Sequence, residues 1–165
     1  MRCLLPLLLC LLCLACQEEP KAPADPPAAP PPAPVEQPVE TAKPTLPSLP
    51  VEKLEYFSKH GTQIDYMFHN LPISMSQDNP NDLRGALGYI STALPVRRQS
   101  CQPIGMVFYE TKEGTHLQGN IYFTKGCTYF EFLENGKIAY ANQLTPQGIE
   151  FFNTMLTRIG QPAVQ

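Results

Sequence analysis

The sequence lacks the short motifs that mark common catalytic and metal-binding sites. It has three histidines, His60, His69 and His116, and none of them shows the i, i+4 pairing or the Cys/His clustering of a metal site. It also has no G-x-G-x-x-G fingerprint, no P-loop and no G-x-S-x-G elbow. These absences predict no catalytic residue, no metal ligand and no cofactor, so an enzyme is the less favoured class of protein.

A surplus of basic residues is missing as well. Residues 51–165 carry nine Lys and Arg against ten Asp and Glu, and the whole chain has a formal net charge of -3. No arginine cluster or basic stripe is visible in the sequence. Because nucleic-acid-binding domains carry such an electrostatic footprint, nucleic acid is not expected as a partner.

The long apolar run of the sequence is too short to cross a membrane. It extends from Cys3 to Ala15, 13 residues with eight leucines, whereas a spanning helix needs about 20 apolar residues. A positive charge, Arg2, precedes the run, and the small residue Ala15 ends it. These features are typical of a secretory signal peptide, which we predict for residues 1–15.

The run ends on a cysteine, in the stretch "CLAC" that closes at Cys16. This stretch resembles the lipobox of bacterial lipoproteins. The resemblance implies cleavage before Cys16, a diacylglycerol on its thiol and a fatty acid such as palmitate on its amine. An Asp directly after the cysteine would resemble an inner-membrane retention signal, but this chain has Gln17 there, which favours the outer membrane. Glu18 and Glu19 resemble signals for surface exposure. The alternative is a plain secretory signal with a chance cysteine.

Prolines dominate the next segment, 12 of the 34 residues from Gln17 to Pro50. Proline fixes φ and removes a backbone donor, so neither helix nor sheet propagates and the chain favours extended polyproline II. At about 3.1 Å per residue, such a segment reaches on the order of 100 Å. We therefore predict a lipidated, proline-rich, disordered tether over residues 16–50, with a ligand for a proline-binding module as the alternative.

Helix signals appear three times in the remaining 115 residues, which are enough for one folded domain. The spacing of apolar residues predicts helices over 51–60, 80–94 and 146–159. Asn79 and Thr145 each precede a proline at the start of the second and third helices, which suits an N-cap followed by the first helical position.

Between the second and third helices the hydrophobic period changes to two, which indicates strands. Asn135-Gly136 is a strong hairpin signal because both residues tolerate the positive φ of a type I′ turn. Residues 62–70 alternate as well and can add a first strand. The predicted strands are 104–110, 116–123, 127–133 and 138–142. The fold class is therefore α+β, an antiparallel four- to five-stranded meander with about three helices packed on one face.

A two-residue turn at Asn135-Gly136 pairs Leu133 with Ile138 and fixes which side chains share a face. One face is apolar and suits packing under helices. The other mixes aromatic and polar groups, which suits a half-wet surface or an interface. The candidate binding residues on that face are Tyr122, Tyr129, Glu131 and Tyr140. The alternative is a cross-strand aromatic ladder with a structural role.

Two further cysteines, Cys101 and Cys127, lie in the domain. In an exported protein an even pair predicts a disulfide, here one that closes a loop of 26 residues and contributes about 3 kcal/mol. The alternative is a nucleophilic cysteine working with His116 or His60.

The sequence therefore predicts a lipid-anchored cell-envelope protein, held on a membrane through Cys16, with a small binding domain. The expected partner is another envelope component, either a protein or a glycan. Two alternatives belong to other classes: an envelope hydrolase with an unrecognised site and a structural surface antigen.

Overall fold

The computed structural model describes residues 41–161 and Val164. In this part of the chain three helices and six strands follow one another as α1 (Val51–His60), β1 (Gly61–Phe68), β2 (Ser74–Gln77), α2 (Pro80–Leu87), β3 (Gly105–Thr111), β4 (His116–Thr124), β5 (Cys127–Glu134), β6 (Lys137–Gln143) and α3 (Pro146–Arg158). The strands form a single antiparallel sheet in the order β2-β1-β3-β4-β5-β6. The α+β class is thus confirmed, with six strands rather than four or five. The predicted signal peptide and Cys16 lie outside the described residues, as does the tether up to residue 40.

The helices begin where the capping signals predicted. The Asn79 side chain accepts a hydrogen bond from the amide of Asn81 (2.8 Å), and Thr145 Oγ1 accepts one from the amide of Gly148 (3.2 Å). The predicted end of α2 at residue 94 is wrong, because the helix ends at Leu87. Ile90 instead forms a bridge with Leu144 beside the end of β6.

The three helices cover one face of the sheet, as predicted. Phe152 of α3 lies at the centre of this core, with ring centroids 5.4 Å from Phe123, 6.1 Å from Phe130 and 5.9 Å from Tyr66. Gly119 makes room for the ring of Phe132, its partner on β5, since a Cβ at Gly119 would lie 2.9 Å from that ring. The aromatic side chains therefore pack over a glycine and close the core without steric conflict.

A bulge between β5 and β6 changes the predicted register. Leu133 pairs with Ile138 as predicted, but the next pairs are Phe132 with Tyr140 and Glu131 with Ala141. One extra residue on β6 moves every later side chain to the opposite face. The prediction that Tyr140 shares a face with Glu131 is therefore wrong.

Residues 41–49, which the sequence analysis assigned to the tether, contact the domain. We call this segment the strap. The Ala141 amide donates to the Pro47 carbonyl (2.9 Å), and the Leu49 amide donates to Asn142 Oδ1 (2.9 Å). The Leu49 side chain is 1% exposed and belongs to the core. The strap thus covers the free edge of β6, which would otherwise present unpaired backbone groups.

None of the helices in the described range 41–161 combines the length and the apolar character that a membrane crossing requires.

Candidate functional site

Three of the four candidate binding residues come together, but in a buried position. Tyr122, Tyr129 and Glu131 are 4%, 1% and 0% exposed. They lie on the sheet face opposite the helices, beneath the strap and the loop that leads from α2 to β3. This part of the face is therefore a second, smaller core and is closed to a partner.

A buried ion pair organises this second core. Arg97 Nε donates to Glu131 Oε1 at 2.7 Å, and the two side chains are 9% and 1% exposed. Tyr122 Oη donates to the other carboxylate oxygen at 2.8 Å. Arg97 also donates to the Pro44 carbonyl in the strap. Because a buried charge is costly unless it is paired, this network holds the strap, the loop and the sheet in one arrangement.

The disulfide closes the apolar end of the same core. Cys101 and Cys127 are bonded, with their Cα atoms 5.9 Å apart, and both are buried. They form a cluster with Tyr122 and Tyr129, whose rings stack at a centroid distance of 4.4 Å. Since the two sulfurs are bonded to each other, neither is a free thiol. Neither can therefore be the nucleophilic cysteine that was the alternative prediction.

Burial changes the acidity of the two stacked tyrosines. Desolvation, followed by the nearby Glu131 carboxylate, raises the pKa of Tyr129 to about 12. The pKa of Tyr122 is also raised, first by desolvation and then by its hydrogen bond to Glu131. Both hydroxyls are therefore neutral at physiological pH, so they act as structural groups.

The fourth candidate, Tyr140, lies on the helix side of the sheet. Its hydroxyl donates to Glu134 Oε1 (3.0 Å), and the Lys53 ammonium lies 5.6 Å from its ring centroid. Lys53 also forms an ion pair with Glu134 at 2.8 Å. The hydrogen bonds from Lys53 and Tyr140 hold the pKa of Glu134 below its ordinary value.

Lys53 and Glu134 border a polar cleft between α1 and two hairpin ends, which His116 also lines. Glu134 is ionised and already bonded to Lys53 and Tyr140. A general acid needs a protonated carboxyl group, so Glu134 does not suit that role. Residues 41–161 hold no cluster of His, Cys, Asp and Glu that could bind a metal ion.

An apolar groove between α2 and α3 is a further concave surface, and it was not predicted from the sequence. It encloses about 720 Å³. Its residues are Met75, Gly85, Tyr89, Gln147, Glu150, Phe151, Thr154, Met155, Arg158 and Ile159. The Tyr89 and Phe151 rings stack at 4.8 Å and form the aromatic part of the wall. Gly85 opens the α2 side, since nothing lies within 4 Å of the position its Cβ would take.

The adjacent aromatics Phe151 and Phe152 are a sequence signal that could have indicated this groove. Successive helical residues are about 100° apart, so the two rings cannot both face the sheet. Phe152 is fully buried, whereas Phe151 is half-buried on the groove side. Met155 of α3 and Ile159, which directly follows this helix, also line the groove.

Two opposite charges stand at the rim of the groove. Glu150 and Arg158 belong to α3 and are eight positions apart, which is about 12 Å along a helix at 1.5 Å per residue. Within the range 41–161 neither side chain forms an ion pair. The groove therefore offers an apolar floor with an anionic site toward one end and a cationic site toward the other.

Comparisons with protein-family models, with curated proteins and with solved structures found no match for this chain.

Proposed function

We propose that this protein is a lipid-anchored component of the cell envelope whose domain binds a short extended segment of another envelope protein in the α2–α3 groove. The lipobox-like stretch ending at Cys16 supports the anchor, and the proline-rich segment after it suits a tether that joins the anchor to the domain. The outer membrane is the favoured location because Gln17 follows the cysteine.

The observation that carries the binding function is the groove itself. Its floor combines stacked aromatic rings with two methionines, Met75 and Met155, and adaptable side chains of this kind recur at peptide-binding surfaces. A groove of about 720 Å³ lies in the range of ordinary ligand sites. The predicted face around Tyr122 and Tyr129 is buried, so the groove replaces it as the binding surface of the proposal.

The rim charges define the chemistry of the partner. Glu150 and Arg158 are about 12 Å apart along the helix axis, which corresponds to roughly four steps of extended chain at about 3.3 Å each, so to residues i and i+4, whose side chains share a face. The expected ligand is therefore a five-residue segment with an apolar side chain in the middle, a basic residue at one end and an acidic residue at the other. Like charges at the same ends would be repelled, which supplies specificity.

A substitution at Gly85 tests this proposal without disturbing the core. Gly85→Gln places a long neutral side chain over the groove, in a helix where glycine is unfavourable, so the fold should persist. Ser58→Gln on the exposed surface of α1, outside the groove, is the matched control. The probe is a set of synthetic peptides of the type Lys-Ala-Leu-Ala-Asp and Asp-Ala-Leu-Ala-Lys, titrated into isotope-labelled protein and followed by NMR.

We expect one member of the set to shift amide signals of α2 and α3, and a peptide with Asp at both ends or Lys at both ends to bind more weakly. Gly85→Gln should abolish these shifts and Ser58→Gln should preserve them. Shifts confined to other elements, or shifts that Gly85→Gln leaves intact, would remove the groove from the proposal.

A further inference from the structure

The loop between α2 and β3 exposes two apolar side chains at its tip. Val96 is 67% exposed and Leu94 is 49% exposed, and Val96 is the most exposed large apolar side chain of the described residues. Pro95 between them is buried. The loop therefore turns its proline inward and presents an apolar residue on either side.

Hydrogen bonds hold this loop in place on both sides of its tip. Before the tip, the Ser91 amide donates to the Gln143 carbonyl and the Gln143 amide donates to the Ala93 carbonyl, each at 2.9 Å. After the tip, Arg97 is fixed by its buried ion pair with Glu131. The exposure of the tip is thus a property of a well-anchored loop.

The same loop lies where the chain leaves the domain toward Cys16. The Lys43 amide donates to the Arg97 carbonyl at 2.8 Å, and Ala42 forms an antiparallel bridge with Arg98. The described chain begins at Thr41, whose carbonyl accepts from the Gln99 amide. A membrane that holds Cys16 is therefore connected to the domain beside this loop.

Two lysines lie on segments next to this loop. Lys43, whose amide bonds to Arg97, lies over the Tyr122 ring at 5.7 Å, and Lys125 is exposed in the β4–β5 turn, where the Arg98 side chain approaches Gly126. Glu131, the carboxylate in contact with this loop, is already paired with Arg97. Exposed apolar side chains beside cations are the combination that binds the interface of an anionic bilayer.

We infer that Leu94 and Val96 insert into the interface of the membrane that carries the anchor, with Lys43 and Lys125 facing lipid phosphates. This inference rests on the proposed lipid anchor. Two apolar side chains and two cations bind a free bilayer only weakly, but a tether raises the effective concentration of the loop at the membrane surface. The contact would fix which side of the domain faces away from the bilayer.

Because the sequence contains no tryptophan, the fluorescence of a single introduced tryptophan reports on its own position alone. Val96→Trp places the reporter in the loop. Ile138→Trp is the control. Ile138 is 42% exposed and lies just after the Asn135-Gly136 turn, which is at the opposite end of β5 from Cys127. Each full-length lipidated variant is reconstituted into vesicles of phosphatidylcholine with phosphatidylglycerol, with and without bromine-labelled chains.

Flotation of the vesicles reports on the anchor, and quenching by the brominated lipid reports on the loop. We expect both variants to float, and the quenching of Val96→Trp to exceed that of Ile138→Trp by roughly twofold or more, with a blue-shifted emission. Adding Lys125→Glu to Val96→Trp should weaken the loop contact about fivefold at low salt.

Flotation with equal quenching of the two reporters would overturn the loop inference and leave the anchor standing. Failure of both variants to float would overturn the anchor and, with it, the loop inference.

Discussion

Arg97 Nε lies 2.7 Å from Glu131 Oε1, across a contact that joins the α2–β3 loop to the centre of strand β5. Tyr122 donates a hydrogen bond to the other carboxylate oxygen of Glu131, and the Pro44 carbonyl in the strap accepts a second hydrogen bond from Arg97. The part of the sheet around Tyr122, Tyr129 and Glu131, which the sequence predicted as a binding surface, is therefore covered by the protein's own chain.

Removing the carboxylate of this pair should destabilise the domain strongly. Glu131→Ala leaves the Arg97 charge buried without a counter-ion, and we expect a loss of about 3–5 kcal/mol in the free energy of unfolding. Replacing both residues together, as Arg97→Met with Glu131→Leu, should recover most of this loss. Urea denaturation of the three proteins measures both effects, and a Glu131→Ala variant as stable as wild type would contradict the role of the pair.

Leu49 offers a test of the domain boundary. Its side chain is 1% exposed within the main core, although it lies in a proline-rich stretch. Leu49→Ala should cost about 2–5 kcal/mol, and a fragment beginning at residue 51 should be less stable than one beginning at 41. Leu46→Ala, in the same segment but half-buried, is the control. Equal melting temperatures for the two fragments would show that the strap contributes nothing to folding.

The disulfide should contribute about 3 kcal/mol, because it closes a 26-residue loop in the unfolded chain. We expect dithiothreitol or the double change Cys101→Ser and Cys127→Ser to lower the free energy of unfolding by that amount. The domain should remain folded, since its main core lies on the opposite face of the sheet. Denaturation with and without reductant checks this, and identical curves would count against the bond.

Alkaline pH should unfold the domain in a defined window. The pKa of Tyr129 is raised to about 12 from its ordinary value near 10, and the pKa of Tyr122 is raised as well. Above pH 10 the unfolded chain loses these protons before the folded one, so stability is fully present below pH 10 and falls as pH rises toward 12. The last part of the phenolate absorbance change, which comes from the buried tyrosines, should coincide with the loss of circular dichroism, and complete tyrosine titration near pH 10 with the fold intact would contradict this.

Local signals account for the parts of the fold that the sequence predicted. Asn79 and Thr145 begin helices because their side chains satisfy nearby amides. Asn135 and Gly136 form the hairpin turn because both adopt positive φ, 52° and 73°. Each of these signals acts between residues that are close in the chain, so it can be recognised from the sequence alone.

Long-range contacts decided the rest. The β5–β6 bulge has no signature in the sequence, and it moved Tyr140 away from Glu131. Strand β2 is four residues long and polar at alternate positions, and it forms by pairing with β1. The strap resembles a linker in composition, but a hydrogen bond between Leu49 and Asn142, 93 positions apart, holds it in place. The groove also depends on long-range contacts, because it forms only where α2 and α3 lie side by side.

The attachment of lipid to Cys16 is the claim on which the proposed function depends most. Mass spectrometry of the mature protein, extracted from the membrane fraction of its own cells, tests it directly. The account predicts an N-terminal peptide that begins at Cys16 and carries a diacylglycerol on the thiol, together with loss of membrane association in Cys16→Ser. A mature N-terminus with a free, unmodified cysteine, or a Cys16→Ser variant that stays on the membrane, would contradict it.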